Sequence, residues 1–363
     1  MTTTYRYLFA DLLTNEIVAE LPINNVSFDK ELNTAGSFNG ELFLTDLRED
    51  VYAINSQTIP GRTALYVDRD ATIVWGGIVW SRSYSSESQS IQFQAREFES
   101  YFEHRKIITT YSASATDQLT VAKALVDQIQ AVTSGSIGIV VPTLTSGVTV
   151  TKTYNGYDQK PLAEALYELS RTDNGFDWNI DVAYDSSYQI VKTLDLAYPR
   201  RGKVYAAGAV AISVLEFPGN VVSYSYPEDG ASVANTMFGV GSGTGEGQVM
   251  STQTSATQIA AGWPVLQHSV SLKDYSDQTL LDNMTLAHLD AVTDPVVVLT
   301  MVTEAYNDPI LGSFKTGDDV RVRITDPRFP DVFDEPRRIV KYSVQPGESG
   351  PERITFSLAV TTN

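Results

Sequence analysis

The sequence predicts a mainly β protein with an α+β part: two related small β-barrels plus a helix-containing domain. Three observations predict it. Short runs of strand-forming residues alternate with turn signals through residues 1–110 and again after 214. A seven-residue pattern recurs, Pro22-Ile23-Asn24-Asn25-Val26-Ser27-Phe28 and Pro218-Gly219-Asn220-Val221-Val222-Ser223-Tyr224, each copy behind a bulky apolar residue, Leu21 or Phe217. Behind each copy the same succession of strands follows. Gly61 leads to Leu65-Tyr66-Val67, Ile78-Val79-Trp80, then Ile91 and Phe93; Gly317 leads to Val320-Arg321-Val322-Arg323-Ile324, Ile339-Val340-Lys341, then Ile354 and Phe356. Pro22, Asn24, Val26 and Phe28, with Pro218, Asn220, Val222 and Tyr224, therefore mark two barrel entries, proline standing where no ladder donor is needed.

In chain order, Tyr5, Tyr7 and Phe9 alternate with other residues, and Thr14-Asn15-Glu16 turns into Ile17-Val18-Ala19. Gly36 and Gly40 flank Phe38, Glu41 to Leu44 resumes a strand, and Pro60-Gly61 is a turn. The paired Gly76-Gly77 inside Ile73 to Trp80 suggests a bulge or sharp bend. Ile91, Phe93 and Ala95 alternate, and Phe98, Tyr101 and Phe102 at helical spacing close this first barrel, residues 1–110.

Residues 111–213 read as an α+β domain. Leu119, Ala122, Leu125, Val126 and Ile129 form one helix face, with Thr116 or Ser114 available as cap. Leu162, Leu166 and Leu169 form another, with Pro161 in its first turn and Asn174-Gly175 as its stop. Phe176 to Val182 then alternates as a half-buried strand. The second barrel is assigned to 214–241 and 295–363, with strands at 237–240, 296–302, 319–324, 337–344 and 352–360. Residues 242–294 are read as a helical insertion packing with 111–213, its helix carrying Leu280, Leu281, Met284 and Ala287 on one face and capped by Asp277.

A length of 363 residues implies two or three domains, and 42% hydrophobic with 19% charged residues is ordinary globular composition. Absence of cysteine excludes disulfides, thiolate nucleophiles and zinc–sulfur sites. Met1 to Leu13 lacks the features of a signal peptide, and no run approaches the ~20 apolar residues that span a bilayer. A soluble protein is expected. The net charge of −18 disfavours gripping nucleic acid or anionic lipid, yet suits a wall past which DNA slides.

Three stretches carry a likeness to a known family. They are Tyr5 to Leu13 with Leu21-Pro22, Leu32-Asn33 and Gly36-Ser37-Phe38; Leu65-Tyr66-Val67 with Ile73 to Trp80 and Ala95 to Phe102; and Gly175-Phe176-Asp177-Trp178. In these the chain resembles baseplate or tail-tip hub proteins of long non-contractile-tailed bacteriophages, the minor tail proteins of phages infecting actinobacteria. The resemblance implies a tail-hub-like fold and a homotrimer in a virion tail tip, each subunit giving two barrels to a pseudo-sixfold ring. It implies a distal tail protein or tail tube above, a tape measure protein within, receptor-binding or fibre proteins below, and genomic DNA in transit. The chain ends soon after the second barrel, so no appended peptidase, lysozyme or carbohydrate-binding domain is expected.

The residues suggest no catalytic, cofactor or metal site. His104, His268 and His288 are scattered, and a calcium loop around Asp173, Asp177 and Asp181 would need acids where Ser170 and Thr172 stand. Those aspartates read as a solvated face, and Glu97, Glu99 and Glu103 as surface charge. Trp75, Trp80, Trp178 and Tyr184 read as core or subunit contact rather than sugar platforms. The run holding Gly241, Gly243, Gly245 and Gly247 lacks the P-loop lysine and reads as a flexible loop, or as one that orders against a neighbouring subunit. The expected function is a non-enzymatic structural hub. The rivals are a carbohydrate-binding receptor-recognition tail protein and a cell-wall hydrolase.

Overall fold

The structure, a computed structural model, describes residues 3–44, 51–172, 174–205, 213–273, 275–293, 297–304, 308–347 and 351–361. Asp173 and the expected strand start at Val296 lie outside them. Two compact units are present, one of residues 1–224 with 300–363 and one of 225–299.

In the larger unit the first barrel comprises β1 (Tyr5–Asp11), β2 (Ile17–Glu20), β3 (Asn24–Glu31), β4 (Ser37–Phe43), β5 (Thr63–Arg69), β6 (Thr72–Ser85) and β7 (Ser90–Glu97), with α1 (Val51–Gln57) before β5 and α2 (Ser100–Glu103) after β7. Its strands run β3-β4-β7-β6-β5-β1-β2. In a flat sheet of that order β2 and β3 would stand ~29 Å apart. The link from Glu20 to Asn24 reaches at most ~14 Å, so the sheet must roll up. Ring contacts inside the roll agree: Tyr7 of β1 meets Phe38 of β4 at 6.1 Å, and Phe9 meets Phe93 at 5.3 Å.

After β8 (Tyr111–Asp117), α3 (Gln118–Gln130), β9 (Ile139–Val140), β10 (Thr149–Tyr154), α4 (Leu162–Ser170), β11 (Asp177–Tyr184) and β12 (Ile190–Ala197), the chain enters β13 (Val214–Phe217) and β14 (Val221–Ser225). In the smaller unit follow β15 (Thr236–Val240), β16 (Met250–Thr254), α5 (Ala256–Ala260), β17 (Gln267–Ser271) and α6 (Gln278–Asp290). Then β18 (Leu299–Glu304), β19 (Asp319–Ile324), β20 (Phe333–Gln345) and β21 (Arg353–Val360) complete the second barrel. Its order is β14-β18-β21-β20-β19-β13.

The two orders correspond strand for strand once β1 is set aside. β2 is antiparallel to β1 and β1 to β5, so β2 and β5 are parallel; β13 and β19 are parallel and adjacent. The first barrel thus has one added strand between equivalents of a directly paired couple. Local features repeat as well. Gly61 and Gly317 both sit at left-handed φ (75° and 94°), and their N–H groups donate to Val79 O and Ile339 O, each at 2.7 Å. The β6–β7 ladder slips between Val79 and Ser81, and the β20–β21 ladder between Ile339 and Lys341. Val79 therefore matches Ile339, one residue off the pairing of Ile78 with Ile339 that spacing alone suggests. Phe93 and Phe356 match as expected, both fully buried.

Several expectations are corrected. Residues 111–197 do not close around a core of their own: Leu119, Val126, Leu166, Trp178 and Leu194 pack in one cluster with Leu8, Tyr66, Ile78 and Phe98 of the first barrel. Asp117 caps α3, its Oδ1 accepting from Leu119 N at 2.9 Å, in place of Thr116 or Ser114. Gly76-Gly77 is not a bulge; a Cβ on Gly77 would stand 2.2 Å from Arg96 O, so close strand approach demands glycine there. The inserted unit runs 225–299 rather than 242–294, because Met237 to Val240 is β15, which pairs with β16 and β17 and not with the barrel. On α6, Leu281, Thr285 and Leu289 face inward while Leu280 and Ala287 are exposed.

Candidate functional site

The feature most able to do mechanical work in the larger unit is the seam where the two barrels join. β20 is long enough to serve two partners along one edge. Its residues 333–338 pair with β19, Ile339 O accepts from Gly317, Val340 O accepts from Leu32, and Lys341, Tyr342, Ser343 and Val344 pair with Glu31, Lys30, Asp29 and Phe28 of β3. Antiparallel ladder bonds fix register to a single residue, because a one-residue slip reverses every side chain. Across the seam Lys341 reaches Asp29 at 3.2 Å and Glu31 at 3.1 Å.

Beneath it lies a buried charged cluster. Lys30 Nζ stands 3.2 Å from Glu97 Oε1, and Glu97 Oε2 accepts from Gly36 N at 3.0 Å. Glu99 Oε1 accepts from Ile180 N at 2.6 Å and from Asn179 Nδ2 at 3.2 Å. Glu97 and Glu99 are 1% and 2% exposed, which overturns their reading as surface charge; only Glu103 is at the surface, paired with Arg96 at 2.7 Å. Burial, then repulsion from Glu99 against the pull of Lys30, pushes Glu97 up to about 8, and burial raises Glu99 also. Burial opposes charge on Lys30, yet Glu97, Tyr342, Asp181 and Glu99 around it hold its pKa above the ordinary lysine value. One positive charge thus faces two buried carboxylates, both of which burial raises above the ordinary carboxylate value.

A second knot ties β11 to the second barrel. Arg201, 1% exposed, donates from Nε to Asp195 at 2.9 Å, from Nη1 to Asn179 at 3.0 Å and Thr316 at 2.9 Å, and from Nη2 to Asp181. Asp177 accepts from Arg201 N at 2.7 Å and from Arg338 Nη2. Asp177 is thus a buried network member, while Asp181, its side chain 40% exposed, joins the same network from its rim. Burial would raise Asp181, but Arg201 and Lys30 hold it below the usual carboxylate range. A third tie joins Arg69 of β5 to Glu352 beside β21 at 2.8 Å, with Tyr5 also donating to that carboxylate.

The two seven-residue motifs lie at the closing corners of the barrels, between β2 and β3 and between β13 and β14. They do different work. Among the described residues the Asn24 side chain donates only to Pro22 O at 3.2 Å, whereas that of Asn220 accepts from Glu216 N at 2.8 Å and donates to Val214 O at 2.6 Å and to Asp308 O. Val26 and Phe28 are buried, but Val222 is 48% exposed and Tyr224 turns its hydroxyl to Asp326. Asn25 at φ 52°, beside a register slip in β3, adds the residue that reverses the phase of one copy.

The glycine run makes backbone bonds within its own unit: Gly241 N donates to Val249 O at 2.8 Å, Ser242 N to Tyr275 O at 2.9 Å, and residues 245–247 form a short 3-10 turn. A Cβ on Gly241 or Gly243 would collide with backbone, while Gly245 and Gly247 face open space. Trp75 and Trp178 are core, Trp80 stacks on His104 at 4.2 Å, and Tyr184 donates to Asp68 at 2.7 Å. Among the described residues no three acidic or histidine side chains converge as metal ligands.

Lys30, Glu97 and Arg201 were legible only in part. Glu97 continues the alternation Ile91, Phe93, Ala95, and Lys30 that of Val26 and Phe28, so strand phase points both inward despite their charge. Nothing local marks Arg201.

No protein-family model and no curated protein matches the sequence. Solved structures do. The chain is similar to the 43 kDa tail protein of prophage MuSo2 from Shewanella oneidensis, at TM-score 0.64 and 11% identity over 98% of both chains. It is similar to the tail protein from Neisseria meningitidis MC58, at TM-score 0.60 and 12% identity over 99% of this chain and 97% of that one. It is also similar to prophage tail protein gp18 from Listeria monocytogenes EGD-e, at TM-score 0.55 and 15% identity over 97% and 94%. The chain therefore has the fold of phage tail proteins along nearly its whole length.

Proposed function

We propose that the chain is a structural, non-enzymatic virion protein of the phage tail tip: a homotrimeric baseplate hub that joins the tail tube to the receptor-binding tip. The observation that carries this reading is the full-length tail-protein fold built from two barrels of one strand order, fixed side by side by a paired seam. Three such chains give six similar barrels, a match for a hexameric tube ring above, while three copies match threefold fibres below. The distal tail protein or tube, the tape measure and the fibre proteins are the partners this arrangement suits. A net charge of −18 suits a conduit that DNA crosses without adhering. The resemblance of the amino-terminal stretches to actinobacterial minor tail proteins favours a phage of that host group with a long non-contractile tail.

Light scattering on purified protein tests the assembly: the expected mass is three times that of the chain, and a monomer at every concentration overturns the trimer. A cryo-EM map of the particle locating the chain away from the tail tip overturns the hub. Peptidoglycan release that vanishes on changing one carboxylate overturns the non-enzymatic reading.

A further inference from the structure

Glu99 of the buried charged cluster also lines a cavity of about 200 Å³ set between the β3–β4 loop, α2, α4 and the start of β11. Glu103 and Glu164 line it as well, with Ala163, Tyr167 and Trp178 among its apolar walls. Three of the lining residues are glutamates, and among the described residues no lysine or arginine lines it. Two of these residues carry a buried polar atom without a protein partner. Glu99 Oε1 is taken by Ile180 N and Asn179 Nδ2, but Oε2 accepts from no described residue, and Trp178 Nε1 donates to none. Both residues are only 2% exposed. Polar groups so deeply buried are ordinarily bonded, so two orphans on one small cavity point to a ligand that bonds them.

We propose that this cavity binds the free amino terminus of a peptide chain, its ammonium donating to Glu99 Oε2 and its first carbonyl oxygen accepting from Trp178 Nε1. The charges favour a cation. Glu103 is already held by Arg96 at 2.7 Å, Lys160 stands 3.7 Å from Glu164, and Lys30 is paired with Glu97 at 3.2 Å. The carboxylate left without a close counter-charge is Glu99, and burial raises its pKa accordingly. Among the described residues no three acidic or histidine side chains converge as metal ligands, so the geometry suits an organic cation. A lysine side chain would answer Glu99 and leave the Trp178 N–H unbonded. An amino terminus carries the donor and the acceptor on one residue, which answers both. At about 200 Å³ the cavity is smaller than the ~300–1,000 Å³ of pockets that hold drug-sized ligands, and it suits a single terminal residue.

The test uses the full chain with its tryptophans replaced by a fluorinated analogue. Four fluorine NMR signals are expected, and Trp178→Phe identifies one of them by its loss. Alaninamide, which has both the ammonium and the carbonyl, is titrated at neutral pH and should shift the Trp178 signal saturably. N-acetylalaninamide, without the ammonium, and propylamine, without the carbonyl, should bind about tenfold more weakly or worse. Glu99→Gln should weaken alaninamide by a similar factor. Ala163→Leu, which narrows the cavity from α4 without touching the charged cluster, should abolish the response while the other three signals stay in place. Absence of a saturable response to alaninamide overturns the site. A response to N-acetylalaninamide of equal strength overturns the ammonium, and one to propylamine of equal strength overturns the bond to Trp178. Tighter binding of glucosamine than of alaninamide overturns the peptide terminus as the occupant.

Discussion

The two barrels share a strand order and differ in what lies outside them. In the first, β5 is buried on nearly every residue and β6 holds a run of five buried residues from Trp75 to Val79. Their counterparts β19 and β20 alternate instead, with polar Arg321, Arg323 and Ser343 between buried neighbours. The cause is the helical layer: Leu8, Ala64, Tyr66 and Ile78 on the outer face of the first barrel pack against α3, α4 and β11, while the inner face is filled by Phe9, Phe38 and Phe93. A strand covered on both faces reads as a continuous apolar run, and one half exposed reads as an alternation. Hydrophobic pattern thus reports a strand's neighbours, and strand order is independent of it.

If the interiors are equivalent, truncating matched core residues must cost the same. Phe93→Ala and Phe356→Ala are each expected to lower stability by about 3–5 kcal/mol in denaturant unfolding. A difference of more than about 2 kcal/mol between them would break the equivalence of the two interiors.

Two carboxylates near the seam should respond oppositely to pH. Glu97 has its folded pKa raised from 4.5 to about 8, so the folded state keeps a proton that the unfolded chain releases. Its contribution is present below about 4.5 and lost as pH rises toward 8, by at most about 1.4 kcal/mol per pH unit for one proton. Asp181 is lowered, so its contribution is present above its ordinary value of 3.8 and lost as acid titrates the folded group. Thermal unfolding between pH 5 and 8 should show stability falling with pH, and Glu99→Gln should flatten that slope. An unchanged slope in the variant would show that repulsion from Glu99 does not help to raise Glu97.

The smallest effect concerns the closing corners. Asn220→Ala removes several backbone bonds and should cost about 1 kcal/mol, while Asn24→Ala, losing one long bond, should stay within about 0.5 kcal/mol. Equal losses would show that the corners close by the same means after all.

This difference bears on what a sequence reveals. The strand succession after each motif was legible because Ile91 and Phe93, like Ile354 and Phe356, follow strand period. The register of the repeat was not, since the slips near Trp80 and Val340 and at Asn25 each shift phase by a residue without a distinctive residue type. The boundary of the insertion was missed for a related reason: Met237 to Val240 is as strand-like as a barrel strand, and only its partners show where it belongs. Glu97 and Asp177 were misassigned because charged residue type outweighed strand phase.

The place of the insertion has a consequence for assembly of the fold. β3 and β4 are joined by five residues, Leu32 to Gly36, whereas their counterparts β14 and β18 are separated by the 73 residues 226–298, nearly all of the second unit. Closing an unstructured loop fifteen times longer costs roughly 2–3 kcal/mol more in chain entropy. A unit that folds on itself with its ends side by side removes that penalty and hands the barrel a short connection. The long connection between β14 and β18 is thus one that a compact unit, and not an open loop, supplies.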